Sequence, residues 1–397
     1  MREVVIVSAA RTPFGSYMGS LASQRSQDLA ACSMKEAVNR AGIDSSKLDI
    51  CVYSEAKQSS FPANIGRHAW LLAGLDDQNA AGLTLNGLCA GAMQTIISGF
   101  SKIVGGEYQG IMVGGIETNS QAQYYLQHPR YNVRLGNLCF HDSKVDVEIK
   151  AQPVKLYGEL SAADIADIIA NNYGLSRQAL DEYALTSRSK AKNAVTSGKM
   201  KEAIVPIFKK INKAEVTIDT DDLAQINSIE MLMSMPTINS NGSATDGNIS
   251  PLADGSASMV MMSAQRAIEL SCKPIARVVG FGIAAGNPKL LERTTIKSIE
   301  KALHFAGIGL KDIDFIDFHE PSAAYSIVVA NGLGTAAFGK MNVDGGSLGF
   351  GHAGAATGGA MVVNMIYRLQ RTGAKYGLIN VGALGGQSLS IVIQTFT

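Results

Sequence analysis

The apolar and polar positions divide the chain into short, wholly apolar runs, each followed by a stretch of helical period. Residues 37–55 (AVNRAGIDSSKLDICVYSE) lie on residues 302–320 (ALHFAGIGLKDIDFIDFHE) without a gap, at an offset of 265. Both segments predict an amphipathic helix closed by an Ala-Gly-Ile turn, then an apolar strand of the kind buried in a parallel sheet. A second matched pair follows. Residues 84–91 (TLNGLCAG) lead into a helix expected over 92–104, and residues 349–354 (GFGHAG) into one expected over 355–369. Cys89 and His352 therefore occupy equivalent strand-to-helix turns, 263 residues apart. Two duplicated α/β halves of this kind bring both residues to one pseudo-twofold interface; the competing explanation is chance matching of glycine-rich turns.

Residues 119–250 break the repeat: they are more polar and predict amphipathic helices over 161–172 and 177–198. This stretch reads as an inserted loop domain. The expected organisation is residues 1–118 as the first part of an N-terminal half, 119–250 as the insertion, 251–272 as the last part of that half, and 273–397 as the C-terminal half.

Composition narrows the function classes. A chain of 397 residues, 46% hydrophobic and 17% charged, can bury a large core. Thirty-five Lys and Arg balance 34 Asp and Glu, so no basic field recommends nucleic acid as a partner. The start, Met1-Arg2-Glu3 before a short apolar run, lacks the pattern of a signal peptide, and no apolar run is long enough for a membrane helix. Five scattered cysteines without a Cys-x-x-Cys pair argue against a disulfide framework and a metal site, so a reducing, cytoplasmic setting is expected.

Among the side chains that can do chemistry, Cys89 stands just before a predicted helix, where unpaired amides and the helix dipole favour a nucleophilic thiolate. Cys32, Cys51, Cys139 and Cys272 lack that setting and read as structural. His352, in a glycine-rich turn, is placed to take the thiol proton; the plainer reading is a turn histidine. His319 ends the apolar run 313–318 ahead of Glu320 and Pro321, at the strand end where α/β sheets place ligands. His68, His128, His141 and His304 read as structural. Residues 349–354 fit G-x-G-x-x-G and residues 345–349 fit G-x-S-x-G, but no Asp or Glu occurs from Gly345 to the end. The first motif thus lacks its ribose-binding acid, and the second the acid of a hydrolase triad.

Several longer blocks go further. The opening residues 4–15 (VVIVSAARTPFG), Gly114-Gly115-Ile116-Glu117, and Ser176-Arg177 with Asp181-Glu182 accompany Asn86-Gly87-Leu88-Cys89-Ala90-Gly91-Ala92, which is similar to an N-x-x-C-x-S-G block. Residues 245–250 (TDGNIS) look like T-A-G-N-x-S, and residues 351–355 (GHAGA) like G-H-P-x-G. With these, essentially the whole chain resembles the thiolase family. The resemblance implies a five-layered α-β-α-β-α fold, a homodimer or homotetramer, coenzyme A thioesters as substrates laid across the loop domain, and no tightly bound cofactor or metal. It implies Cys89 as acyl carrier, with its own amide helping to hold the oxyanion, and His352 as its base. It also implies His319 as a ligand of the other thioester oxygen, directly or through water, and Ser250 as a contact of pantetheine. Residues 121–155, which would line an acyl tunnel, depart most from the family pattern. Met231, Met233 and Met235 read as core filler or, alternatively, as a deformable wall for an acyl chain.

One departure bears on function: the family's second catalytic cysteine, which moves the α-proton, falls on Gly382, and the alternative location within the histidine motif is Pro321. Cys89, His319 and His352 remain. The chain accordingly reads as an acyltransferase that makes or cleaves 3-oxoacyl-CoA by an altered proton path. The alternatives are a decarboxylating condensing enzyme and an acyl-CoA-binding partner subunit with little turnover.

Overall fold

The computed structural model describes residues 2–58, 61–127, 137–211, 214–225, 228–337 and 339–396. The first half runs β1 (Val4–Arg11), α1 (Ser26–Ala41), β2 (Ile50–Ser54), β3 (Ala81–Leu85), α2 (Gly91–Val104) and β4 (Gly110–Thr118). The chain then leaves the sheet to form helices that include α3 (Ala162–Tyr173) and α4 (Arg177–Thr196), and returns with β5 (Ala253–Ser263). The second half comprises β6 (Ala276–Ala285), α5 (Leu291–Ala306), β7 (Phe315–Phe318), α6 (Ala323–Leu333), α7 (Thr357–Thr372), β8 (Tyr376–Ala383) and β9 (Gln387–Thr395).

The expected duplication is present in the strand order. The first half pairs β3-β2-β4-β5-β1 and the second β7-β8-β9-β6. In the first half β2 runs parallel to both β3 and β4, in the second β7 runs parallel to β8, and the other pairs are antiparallel. The halves join where Val5 and Ile6 of β1 meet Arg277 and Ala276 of β6. Helices α1 and α5 match at both ends at the offset of 265, and each stops at a left-handed glycine, Gly42 at φ 66° and Gly307 at φ 67°. Glycine takes that left-handed conformation at the least cost, which is why the Ala-Gly-Ile turn recurs.

Three apolar clusters give the five layers. The middle one unites Met93, Ile96 and Phe100 of α2 and Val362, Ile366 and Leu369 of α7 with inward residues of both sheets, such as Val113 and Ile391. The other two lie outside: α1 against β1 and β2, and α5 and α6 against β7 and β9. Each fully buried aliphatic side chain of α2 contributes about 1.5–3 kcal/mol, so Ile96→Ala, which leaves a cavity between both sheets, should cost about 2–5 kcal/mol. In the second half β3 has no full counterpart: a single parallel bridge between Ile316 and Met341 stands in its place.

Candidate active site

The strand β3 delivers the chain to a tight turn, Leu88–Ala90, immediately before α2. Asn86 Oδ1 accepts the amide of Leu88 at 2.9 Å, and Leu88 is held at φ 49°, an uncommon conformation for a branched residue. The turn lifts Cys89 out of the helix and into the cleft between the halves. From the other half, the stretch 351–356 bends on Gly351 and Gly354 and presents His352. Gly354 has no room for a side chain, because a Cβ there would run into the Glu117 carboxylate.

His352 Nε2 lies 3.0 Å from Cys89 Sγ, and its Nδ1 lies 2.8 Å from Thr357 Oγ1 at the start of α7. Burial first, then His319 and Lys57, hold His352 well below the ordinary histidine value, so the ring is neutral at pH 7. In that state Nδ1–H donates to Thr357 and Nε2 accepts the thiol hydrogen. Burial pushes the Cys89 thiol up to about 11, against the charge of Lys57 and the amides of Leu384 and Cys89 that favour the thiolate. Position before a helix is outweighed by desolvation, and the sulfur must be activated by giving its proton to His352 as it attacks.

His319 follows β7, its amide donating to Asn380 O at 2.9 Å. Its ring lies beside that of His352, with centroids 4.3 Å apart and planes inclined by 33°. Arg368 of α7 is paired with Asp317 of β7 at 2.8 Å, both buried, which fixes the elements carrying the two histidines to one another. Burial lowers His319 to about 4. The next residue, Glu320, accepts hydrogen bonds from Tyr183 and Ser187 of α4 and from Asn342, so the inserted helix is pinned to this strand end.

Cys89, His319, His352, Gly382, Ser250 and Lys57 all line one cavity of about 480 Å³. Ser250 stands on the side of the insertion. Its hydroxyl donates to Ser347 O at 2.8 Å and its amide to Pro321 O at 3.0 Å, leaving the hydroxyl oxygen able to accept. The loop before it is held by Asn248, which donates to Asp181 Oδ1 at 2.9 Å, and Asp181 is paired with Arg177. Lys144, Val147 and Glu148, from the helix Ser143–Ile149, complete that wall. The same side chains that the sequence singled out thus converge, with a thiol-imidazole pair at one end of a cavity large enough for an acyl group.

The model for "Thiolase, N-terminal domain" matches residues 4–265, and that for "Thiolase, C-terminal domain" matches residues 272–395. The chain belongs to the thiolase family. It is 31% identical over 399 residues to the acetyl-CoA acetyltransferase of Syntrophomonas wolfei, covering 99% of each chain. It is 30% identical over 398 residues to human mitochondrial 3-ketoacyl-CoA thiolase, covering 100% of this chain and 99% of that one. The crystal structure of the human enzyme in complex with CoA superposes at a TM-score of 0.91 with 29% identity, over 100% of this chain and 98% of that one.

As a thiolase, this chain differs where a second cysteine was sought. Gly382 lines the cavity, and a Cβ there would stand 2.7 Å from Tyr325 Oη and 3.3 Å from Leu291. Tyr325 is fully buried and its hydroxyl is held 2.5 Å from Thr295 Oγ1, so it cannot swing aside at low cost. Pro321 also lines the cavity and offers only its ring and backbone.

Other expectations meet the structure unevenly. Met231 and Met233 are exposed on the helix Ile229–Ser234, and neither they nor Met235 line the cavity, so they are neither core filler nor its wall. Cys139 is exposed, unlike Cys51 in the core, and so has no packing role. Ser347 is buried, its hydroxyl accepting the Glu320 amide, so the G-x-S-x-G match marks no nucleophile. His141 is near Asp146 at 3.6 Å, away from the cavity, and His128 lies outside the described residues. Among the described residues no group of three or more His, Cys, Asp or Glu side chains is arranged to hold a metal ion.

One residue was missed, Lys57, and another, Glu117, was noted without a role. Lys57 donates to Asn119 Oδ1 at 2.6 Å and lies 3.9 Å from Glu117, with its side chain 9% exposed. Glu117 accepts the amides of Ala56, Lys57 and Ala355, tying the segment after β2 to the His352 turn. The block containing Glu117 was legible as a family feature, whereas Lys57 sits in an irregular segment with no pattern to announce it.

Proposed function

We propose that this chain transfers acyl groups between coenzyme A thioesters, making or cleaving 3-oxoacyl-CoA, by way of an acyl thioester on Cys89. The observation that carries the reading is the 3.0 Å contact between Cys89 Sγ and His352 Nε2 at the cavity wall. An acyl-CoA enters with pantetheine along Ser250, and Cys89 attacks its carbonyl carbon while the thiol proton passes to His352. The new carbon–sulfur bond forms as charge collects on the carbonyl oxygen, which the Cys89 amide stabilises. Collapse expels the coenzyme A thiolate, which leaves as a thiol with the proton from His352. The sulfur is the nucleophile of the first half-reaction and the leaving group of the second, so the proton it gives up on attack must be returned to it when the acyl group departs. In this first half-reaction a water that donates to His319 Nε2 bridges to the thioester oxygen, and the second thioester displaces it. The chemistry uses the chain's own side chains and invokes no tightly bound cofactor.

We further read the enzyme as a cytoplasmic homodimer or homotetramer. Free cysteines support the reducing setting, and the outer edge of β3, with Leu83 exposed, supports a self-complementary contact. Among the described residues no helix is long and apolar enough to cross a membrane.

Intact-protein mass spectrometry after incubation with acetyl-CoA and longer acyl-CoAs tests the reading. An acyl adduct on the wild type that is lost in Cys89→Ala is expected. No adduct with any thioester would overturn it.

A further inference from the structure

His319 Nδ1 lies 3.2 Å from the carbonyl oxygen of Gly382. A carbonyl oxygen only accepts, so in the neutral ring the hydrogen is on Nδ1 and the lone pair is on Nε2. Nε2 is buried, has no hydrogen-bond partner among the described residues, and belongs to a side chain that lines the cavity and is 2% exposed. A buried polar atom without a partner is costly, and this one belongs to a side chain at the wall of the cavity where substrate must sit. The residue that supplies the carbonyl is the very position at which no side chain, and hence no second thiol, can be accommodated beside Tyr325.

We propose that Nε2 of His319 is the base that removes the α-hydrogen of the second thioester in the carbon–carbon bond-forming half-reaction. This rests on the acyl-transfer reading. With the acyl group on Cys89, a second acyl-CoA presents its α-carbon to Nε2, and the C–H bond breaks with its electron pair moving into an enolate. The enolate carbon bonds to the acyl carbon on Cys89, the carbon–sulfur bond to Cys89 breaks, and 3-oxoacyl-CoA leaves. The proton on His319 then returns to the Cys89 sulfur through the adjacent His352 ring, so the resting state is restored with no other reactant. In the reverse direction the same nitrogen gives its proton to the departing enolate.

Burial makes the resting ring a weak base, but the enolate supplies a compensating charge. An opposite charge roughly 4 Å away in a partly screened site shifts a protonation equilibrium by about a thousandfold, enough to hold the proton while the enolate exists. The titratable groups that share the cavity with this nitrogen are His352, Cys89, Lys57 and Tyr17, with Lys144, Glu148 and Asp246 on the side of the insertion.

The test follows deuterium entry from D₂O into the methyl group of acetyl-CoA by NMR, alongside acetylation of Cys89 by intact mass, for wild type and His319→Asn. Asparagine keeps a polar side chain but cannot hold the proton. The ratio of exchange to acetylation is expected to fall at least about a hundredfold. A ratio within about threefold of wild type, including the case in which both rates fall together, would overturn the proposal. A second measurement needs no variant: wild-type exchange should be level from about pH 6 to about pH 9, since the nitrogen is unprotonated throughout. A rise of about tenfold per pH unit would instead assign the step to a thiol and overturn it. Absence of acetylation in the wild type would fail the acyl-transfer reading itself and is a separate outcome.

Discussion

The turn that carries Cys89 and the turn that carries His352 hold matching places in the two halves, yet they are built differently. In the first half a complete strand, β3, runs up to the turn, and a branched residue, Leu88, is forced to φ 49° to aim the sulfur. In the second half that strand is reduced to the bridge between Ile316 and Met341, and two glycines, Gly351 and Gly354, do the bending. The first turn offers one group that must be activated, whereas the second offers a ring fixed by Thr357 on one nitrogen and free to take a proton on the other. Duplication therefore supplies the geometry of approach, and divergence of the turns supplies the difference in chemistry. His319, reached from β7, corresponds by the offset to Ser54 at the end of β2, whose hydroxyl is buried without a hydrogen-bond partner among the described residues. One strand end became a proton acceptor and its twin stayed part of the packing.

The largest effect expected from breaking this comparison is at Cys89. Cys89→Ala should lower turnover at least about ten-thousand-fold and abolish the acyl adduct, as removal of a covalent nucleophile does. His352→Ala should cost about a hundred- to ten-thousand-fold in the rate of acylation, measured by stopped reaction and intact mass. The double variant should be no worse than Cys89→Ala alone, because the two act as one unit; additive losses would mean that they serve separate steps.

Much of this was legible in the chain, for a definable reason. Offsets in sequence survive where helix and strand lengths are fixed by packing, so the match of residues 37–55 to 302–320 foretold that α1 and α5 end alike, and the turns of Cys89 and His352 could be superposed before any coordinates. What escaped depends on distances between segments far apart in the chain. The lone pair on His319 is fixed by a carbonyl 63 residues away, the room at Gly382 by Tyr325, and the thiol's protonation by burial rather than by its place before a helix. Met231 and Met233 show the converse error: apolar type suggested burial, but both are exposed on a short helix that buries Leu232 between them.

Acid should distinguish the halves by stability. His319 is buried neutral with its pKa lowered to about 4, whereas an unfolded histidine titrates near 6.5. As pH falls between those values the unfolded chain takes up a proton that the folded one refuses. Stability contributed by this site is therefore full above about pH 6.5 and lost progressively towards pH 4, by at most about 3 kcal/mol. His352 is lowered in the same sense, so both act together on the second half's side of the cavity. Denaturant midpoints at about pH 7.5 and about pH 5 should differ less for His319→Asn than for wild type. An unchanged difference would mean that the ring is not buried neutral.

The smallest and most informative change is Lys57→Met, which touches both turns at once. Lys57 reaches the His352 turn through Asn119, whose amide donates to the carbonyl of His352 at 3.3 Å, and its charge acts on the Cys89 sulfur and the His352 ring. Removing that charge raises the thiol pKa further, which makes proton loss harder and should slow acylation about tenfold, equivalent to roughly 1.4 kcal/mol. The same removal lifts one of the influences that keep His352 unprotonated, so the acid limb of the acylation profile should move to higher pH. The sign separates electrostatics from packing. If Lys57 only filled space, methionine would alter the rate without moving the limb. If its charge poises the pair, the rate falls and the limb moves upward together, because one cation disfavours protonation of the imidazole and favours ionisation of the thiol.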